Sequence, residues 1–301
     1  MKKIKNIFID TDMGNDDIMA ISLLLLSNRV KVTGFSTVFG VSSTRKGALN
    51  LYNLISYYKL TIPVIVGSAK SSNNNTRAFP TFDRKRAENL ILLPYFQKTI
   101  KSIKRKNNYE KIIFEKLQNN TTIIALGPLT NIANLITKYG DCFTNKINEI
   151  FVMAGGIYSG NVPPEKIAEY NILLDPKAAN IVFSSKIPIK MIGIDAARFA
   201  PATQEFKNKV VNIKQKSRQG KIIKSIILNN NADFDFFYDP LAVSIFLDQK
   251  IIKQSLKGFI HVSKKGKNTE QTIFNRSENG NVRVILRINS SRFYKLISDN
   301  I

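Results

Sequence analysis

Ile7-Phe8-Ile9-Asp10-Thr11-Asp12-Met13-Gly14-Asn15-Asp16-Asp17 closes the first apolar run of the chain and decides its reading. The run Ile4–Ile9 has the short β-branched character of a buried strand, and Asp10 and Asp12 fall two residues apart, the period that puts strand side chains on one face. Gly14 permits a sharp turn, after which Asp16 and Asp17 open a helix through Ile18-Met19-Ala20-Ile21. Two like charges about 4 Å apart repel by roughly 4 kcal/mol at a surface-like dielectric. No Lys, Arg or His occurs between Lys5 and Arg29, so a hard divalent cation is the economical way to keep these carboxylates ionised. An acidic helix cap accounts for Asp16 or Asp17 but not for two aspartates on the preceding strand. An EF-hand loop is excluded, because Gly14 and Ile21 stand where a ligand and the closing Glu belong. A phosphatase pattern of strand plus Asp-x-Asp-x-Thr/Val is closer, but Gly14 occupies the Thr/Val place.

Working outward, strand-like runs at Val30–Val38, Pro63–Val66, Thr121–Leu126, Glu149–Met153 and Ile187–Ile192 alternate with helical patterns at Asp16–Ser27, Arg45–Tyr58, Pro128–Lys138 and Pro176–Ser184. That alternation predicts βαβ units: an α/β, Rossmann-like, open and mostly parallel (mixed) sheet flanked by helices, with its active site at the carboxyl edge of the strands. Polar or glycine-rich strand exits at Asp10/Asp12, Gly40, Leu126-Gly127 and Ala154-Gly155-Gly156 fall at that edge, and Gly67 to Pro80 reads as a mobile loop near it. Phe259–Val262, Glu270–Asn275 and Val282–Ile288 read as antiparallel strands with Asn279-Gly280 as a hairpin turn, followed by an amphipathic helix Ser291–Ile297. No linker divides the chain, so residues 1–301 are expected to form one domain.

The 301 residues are 44% hydrophobic, enough for a large core. One cysteine, Cys142, excludes internal disulfides and suits a reducing compartment. The basic N-terminus runs straight into Asp10 without a signal-peptide apolar region, and no run has membrane-spanning length, so a cytoplasmic protein is expected. The net charge of +23 is scattered, with clusters at Arg84-Lys85-Arg86, Lys101 to Lys106, Lys214 to Lys221 and Lys264 to Lys267. Without interleaved aromatics these read as solvated surface rather than a nucleic-acid platform. Cys142, with no histidine near it and in a loop at the wrong edge, is a poor nucleophile candidate, and His261, the only histidine, reads as structural. Ala154-Gly155-Gly156 lacks the phosphate-loop lysine and the dinucleotide spacing.

Four co-linear blocks resemble the nucleoside hydrolases of the inosine–uridine-preferring type. They are Asp10 to Asp17; Ala125-Leu126-Gly127-Pro128-Leu129-Thr130-Asn131-Ile132-Ala133; Met153-Ala154-Gly155-Gly156 through Asn161 and Ala168-Glu169-Tyr170-Asn171 to Asp175-Pro176-Lys177-Ala178-Ala179; and Tyr238-Asp239-Pro240-Leu241-Ala242. The resemblance implies a Ca²⁺ held by Asp12, Asp17, Asp239 and the carbonyl of Leu126, with Asp12 also the base toward the attacking water. It implies ribose hydroxyls gripped by Asp16, Asn161, Glu169 and Asn171, with Asp10 supporting from behind and Tyr238 near the leaving base. Oxygen ligands suit Ca²⁺, and carboxylates with amides suit a sugar diol. The implied activity is calcium-dependent hydrolysis of the N-glycosidic bond of ribonucleosides, in nucleoside catabolism and purine/pyrimidine salvage, by a homo-oligomer (dimer or tetramer) that takes a small nucleoside and needs neither nucleic acid nor membrane.

Departures bear on the leaving group. Val41 stands where many members have Asn, Tyr238 where many have His, and Arg198 where Asn is frequent. Ala78-Phe79-Pro80 to Asp83-Arg84-Lys85 resembles a segment of branches that carry an aromatic before Asp-Pro, so Tyr238 reads as a branch trait. The alternatives are a non-catalytic ribose- or nucleoside-binding relative, supported only by Tyr238 and Val41, and an Asp-x-Asp phosphatase. The phosphatase would need Asp10 as nucleophile and leaves Glu169, Asn171 and Asp239 unexplained.

Overall fold

The structure, a computed structural model, describes residues 4–72, 77–89, 103–104, 106–228, 235–263 and 270–301. The chain opens with β1 (Lys5–Thr11), α1 (Asn15–Leu26), β2 (Val30–Thr37), α2 (Thr44–Tyr57) and β3 (Val64–Val66). Next come α3 (Thr81–Glu88), α4 (Tyr109–Lys116), β4 (Thr121–Ala125), α5 (Thr130–Tyr139), α6 (Asp141–Thr144) and β5 (Ile147–Met153). They are followed by α7 (Tyr170–Leu174), α8 (Pro176–Phe183), β6 (Ile189–Ile192), α9 (Ile194–Ala197), α10 (Gln204–Val211), α11 (Arg218–Leu228) and α12 (Tyr238–Leu247). Finally β7 (Ile252–Val262), β8 (Thr272–Arg276), β9 (Val282–Ile288) and α13 (Ser290–Asp299) complete it.

The strands form one nine-stranded sheet in the order β3-β2-β1-β4-β5-β6-β9-β7-β8. Every pairing from β3 to β9 is parallel, and only β7 runs antiparallel, against both β9 and β8. β1 is central and covered on both sides, so its apolar run need not alternate with polar residues. Instead it feeds two cores. Ile7 and Ile9 pack with α1, α11, α12 and α13, while Phe8 packs with α4, α5 and α8 on the other face. Ile18 to Leu24 of α1 are all buried, because α1 lies between the sheet and helices α11 and α12. That position explains an apolar helix with little amphipathic pattern.

The parallel strands and their crossover helices begin and end within a few residues of the sequence expectation. α3, α4, α10, α11 and α12 were not anticipated. The C-terminal hairpin is corrected: β8 and β9 do not pair with each other, because β7 lies between them. β8 covers the C-terminal half of β7, Gly258 to Val262, and β9 its N-terminal half, Ile252 to Gly258, on the opposite side. Residues 277–281 therefore cross β7 at Gly258, where a Cβ on Gly280 would collide with the Gly258 backbone. The Asn279-Gly280 turn signal is real, but it serves a crossing. Cys142 lies in the short helix α6, exposed, rather than in a loop.

Parallel topology sends the carboxyl ends of β1, β4, β5 and β6 to a single edge. A strand's own hydrogen bonding stops there, leaving the exits free to turn side chains toward a shared crevice.

Candidate active site

At that edge lies a cavity of about 470 Å³. Asp12, Asn15, Asp16 and Asp17 line it from the turn between β1 and α1, Leu126 from the end of β4, and Met153 from the end of β5. Asn161, Glu169 and Asn171 enter from the segment before and within α7, and Tyr238 and Asp239 from the first turn of α12. Residues from well separated parts of the chain thus meet in one place, as the sequence blocks require.

β1 ends at Thr11, and Met13 takes a left-handed backbone (φ 56°) that turns the chain toward α1. Asp10 and Asp12 consequently have different surroundings. Asp10 is 1% exposed, does not line the cavity, and accepts hydrogen bonds from Ser36 Oγ and Asn131 Nδ2. A phosphatase nucleophile at Asp10 is therefore excluded: the carboxylate is behind the site and bonded to β2 and α5. Asp12 does face the cavity. Val41 N–H donates to its Oδ2 (2.8 Å), and Gly40 passes so close that any Cβ there would overlap the Asp12 carboxylate. Val41 acts on Asp12 through its backbone, which accounts for the tolerance of an apolar side chain at this position.

Asp17 is held on both oxygens, accepting from Thr11 Oγ1 and from Gly14 N–H (2.7 Å), and it lies within hydrogen-bonding reach of Asp239. The carboxylates of Asp16, Asp17 and Asp239 each offer an oxygen within 4.8 Å of the others. Asp16 thus joins the tight group that the resemblance assigns to Asp12, Asp17 and Asp239, while Asp12 borders it. Burial raises all four carboxyls, and their mutual repulsion raises Asp12, Asp16 and Asp239 further. Asp16 reaches about 7, and Asp12 and Asp239 stand well above the ordinary carboxylate range. No ion pair among the described residues involves any of the four.

Two amide oxygens in the same lining, Asn15 Oδ1 and Asn171 Oδ1, are buried without a donor. Asn171 Nδ2 is anchored by donating to Met153 O (3.0 Å), which holds its oxygen in place as an acceptor. Buried acceptors without donors are rare and suit a bound cation or a ligand hydroxyl. An all-oxygen set of carboxylates, amide oxygens and the nearby Leu126 carbonyl fits a hard divalent cation. Glu169 caps α7: its oxygens accept from Gly155 N–H (2.9 Å), Asn171 N–H (2.9 Å) and Ile172 N–H (3.2 Å). Asn161 Oδ1 accepts from Tyr170 N–H (3.2 Å).

The Tyr238 phenol is pushed up by burial first, then by the negative charges of Asp235, Asp16 and Glu169, so it stays protonated at neutral pH. Arg198 does not line the cavity; its Nη2 donates to Ser159 Oγ (2.8 Å). His261 is exposed on β7, and neither it nor Cys142 lines the cavity.

The sequence motifs gave no site role to Asn15, Asp83, Arg86, Lys166, Tyr170 or Asp235, all of which line the cavity. Asn15 was legible as part of the aspartate motif. Asp83 and Arg86 share one face of α3 by their i,i+3 spacing, but a helix without apolar periodicity carries no signal of what it faces. Arg84 and Arg86 are half-buried, so the Arg84-Lys85-Arg86 cluster is not the solvated patch expected of it. Of the other basic clusters, much of Lys101 to Lys106 and all of Lys264 to Lys267 lie outside the described residues, as do residues 73–76 of the loop Gly67 to Pro80.

A doubly covered α/β sheet that gathers carboxylates and unsatisfied amide oxygens into a small-molecule cavity at its carboxyl edge is a candidate active site. Comparison with known proteins narrows this. Residues 7–295 match the sequence pattern of the inosine-uridine preferring nucleoside hydrolases. The non-specific ribonucleoside hydrolase RihC of Salmonella paratyphi B is 30% identical over 224 residues, covering 73% of this chain and 70% of that protein. Among solved structures, a purine-preferring ribonucleoside hydrolase from Gardnerella vaginalis superposes with a TM-score of 0.82 at 21% identity, over 98% of this chain and 99% of that one. The plant nucleoside hydrolase PpNRh1 gives 0.80 at 24% identity, over 98% of both chains. The chain belongs to the inosine-uridine preferring nucleoside hydrolase family, and so to the glycosidases that act on N-glycosyl compounds.

Proposed function

We propose that this protein hydrolyses the N-glycosidic bond of ribonucleosides, giving ribose and a free nucleobase, with Ca²⁺ as its metal. The observation that carries the reading is the group of buried Asp12, Asp17 and Asp239 with half-buried Asp16, beside the donor-less Asn171 Oδ1 in one cavity. Four mutually repelling carboxylates favour a divalent cation, and an orphan acceptor favours a sugar hydroxyl.

When bound, the cation would supply Lewis-acid acidification of a water and an anchor for sugar oxygens. Asp17, Asp239, Asp12 and the Leu126 carbonyl would hold it, and the geometry argues for adding Asp16. Asp12 is the base of this proposal. Its Oδ2 is fixed by Val41 N–H, which leaves Oδ1 to take a proton from the water that attacks the anomeric carbon. Asn171 Oδ1, Asn161 and Glu169 grip ribose hydroxyls, and those hydrogen bonds strengthen as the sugar becomes oxocarbenium-like. Tyr238, kept protonated, stacks on or donates to the leaving base rather than acting as a strong acid.

The test is incubation with a ribonucleoside panel and Ca²⁺, detecting free base by chromatography. Release of base that stops on chelation and returns with Ca²⁺ is the expected result; no release from any nucleoside sinks the reading in favour of a binding protein. Asn171→Ala should lose about 1.5–3 kcal/mol of transition-state stabilisation on ribonucleosides. Wild-type activity as high on 2′-deoxyribonucleosides would count against this sugar geometry.

A further inference from the structure

Residues 154–169, between β5 and α7, form neither helix nor strand, so the place of Asn161 in the cavity depends on specific contacts. Its Oδ1 accepts from Tyr170 N–H, its backbone N–H donates to Ala168 O (2.9 Å), and its amide lies within hydrogen-bonding reach of the Tyr238 phenol. The chain reaches Asn161 through a tight turn. A Cβ on Gly156 would overlap the Ser159 carbonyl, and one on Gly160 the Ala168 carbonyl. Against this turn lies the exit of β6. β5 and β6 are parallel neighbours, Ile194 N–H donates to Gly155 O (2.9 Å), and a Cβ on Gly193 would overlap that same carbonyl. The two exits are pressed together, and α9 therefore starts beside the turn.

Asp195, on α9, is 3% exposed and does not line the cavity. Its two carboxylate oxygens accept from successive backbone amides of the turn, Ile157 N–H (2.7 Å) and Tyr158 N–H (3.2 Å), with Ser159 N–H also in reach. Successive backbone N–H groups that converge make a concavity suited to an anion, and here the chain supplies its own. The Tyr158 side chain is 71% exposed, so the turn is gripped by its backbone. Arg198, one helical turn on from Asp195, donates to Ser159 Oγ (2.8 Å), and its charge favours the ionised carboxylate. We propose that Asp195 is a positioning residue for the sugar subsite: by holding residues 157–159 it sets Asn161 where it meets a ribose hydroxyl, and Arg198 reinforces the hold. The departure at Arg198 then acts on the sugar, through the turn, rather than on the leaving group.

This inference rests on the nucleoside-hydrolase reading, and the experiment separates the two. A double-mutant cycle measures kcat/KM for inosine and uridine with calcium-loaded wild type, Asp195→Asn, Asn161→Ala and the double variant. Asp195→Asn keeps the size of the side chain but turns a donor toward a backbone N–H. Each single variant should lose about tenfold, within the range of one lost hydrogen bond. Because Asp195 acts through Asn161, the double variant should lose scarcely more than the worse single one. Independent effects would multiply to about a hundredfold, and that result, or full activity of either single variant, overturns the assignment. Ca²⁺ affinity in calorimetry should be unchanged in Asp195→Asn, which a general loosening of the site would not allow. Arg198→Ala, whose side chain is exposed, gives the same cycle with a smaller single loss and replaces Asp195→Asn if that variant does not fold; multiplying losses overturn the assignment there too. If no nucleoside is hydrolysed, the functional reading fails instead. The cycle is then read on the affinity for inosine and uridine by calorimetry: losses that do not multiply support the role of Asp195, and multiplying losses or no binding by wild type overturn it.

Discussion

Asp175 and the cavity carboxylates Asp12, Asp17 and Asp239, which half-buried Asp16 joins, are withdrawn from water, yet their surroundings are opposite. Asp175, 0% exposed, accepts from Ser72 N–H (2.7 Å), Ser72 Oγ (2.7 Å), Thr130 Oγ1 (2.6 Å) and Ala178 N–H (3.0 Å). It caps α8 and ties three segments together as a joint. The cavity group has few donors, carries its members' mutual repulsion, and has its carboxyls pushed upward. A buried anion with donors on every side stabilises a fold; buried anions facing one another are a ligand site that the folding energy of the rest must support.

The strongest way to break this contrast is to remove a cavity carboxylate. Asp239→Ala, and likewise Asp12→Ala, should lower kcat/KM for ribonucleosides by about 10³-fold or more, roughly 4 kcal/mol in the barrier, and weaken Ca²⁺ binding in calorimetry. The chelated Asp239→Ala protein should melt no lower than chelated wild type at pH 8, because repulsion is relieved. Near-wild-type turnover in either variant would remove that residue from the site.

Asp175→Ala should behave in the opposite sense. Losing a helix cap and three further acceptor contacts should destabilise the fold by about 3 kcal/mol in urea denaturation, with or without calcium. A stability loss that appeared only with calcium present would make Asp175 part of the metal site.

The pH dependence sharpens the comparison further. Asp10 and Asp16 titrate near 7 in the folded chain, chiefly through burial, against about 3.9 when unfolded. Folding therefore favours their protonated forms, so their stabilisation is complete below about pH 4 and is lost as pH rises through 7. Chelated protein should lose melting temperature between pH 5 and 8, and Ca²⁺ should restore it most at the alkaline end. A chelated melting temperature that rises over that range would reverse the sign and refute the account.

Smaller effects concern the rim. Tyr238→Phe should retain activity within about threefold while Tyr238→Ala loses much more, since the ring and not the raised phenol carries the role. Equal inactivity of both variants would make the hydroxyl the proton donor. Cys142→Ser and His261→Ala should leave nucleoside cleavage unchanged, because neither residue lines the cavity.

Legibility followed the range of the interactions. β1, β2 and β4 to β6 could be read from their apolar runs because burial on both faces leaves a continuous signature. α12 escaped because its apolar run resembles a strand as much as a helix; α11 does carry a helical spacing, with Ile222, Ile223, Ile226 and Ile227 on its buried face, and α3 escaped because only Ala87 is buried on it and Glu88 ties it to a distant segment. Glu88 anchors α3 to the start of α2 by accepting from Ser43 N–H (3.1 Å) and pairing with Lys46.

By itself the sequence determined the parallel α/β class, the carboxyl-edge location of the site and the unbalanced charge at Asp10 to Asp17, since these follow from periodicities and chain-local spacing. Only the tertiary structure decided which acids share the cavity. Asp10, which the resemblance placed behind the site, is held there by Ser36 and Asn131, and Asp16 joined Asp17 and Asp239 across more than two hundred residues. The crossing of β7 by residues 277–281 and the presence of Asp83 and Arg86 in the cavity wall were decided there too. The reason is physical. A strand's period says which way a side chain points relative to its neighbours, but what it meets depends on where the strand ends and which distant helix closes over it.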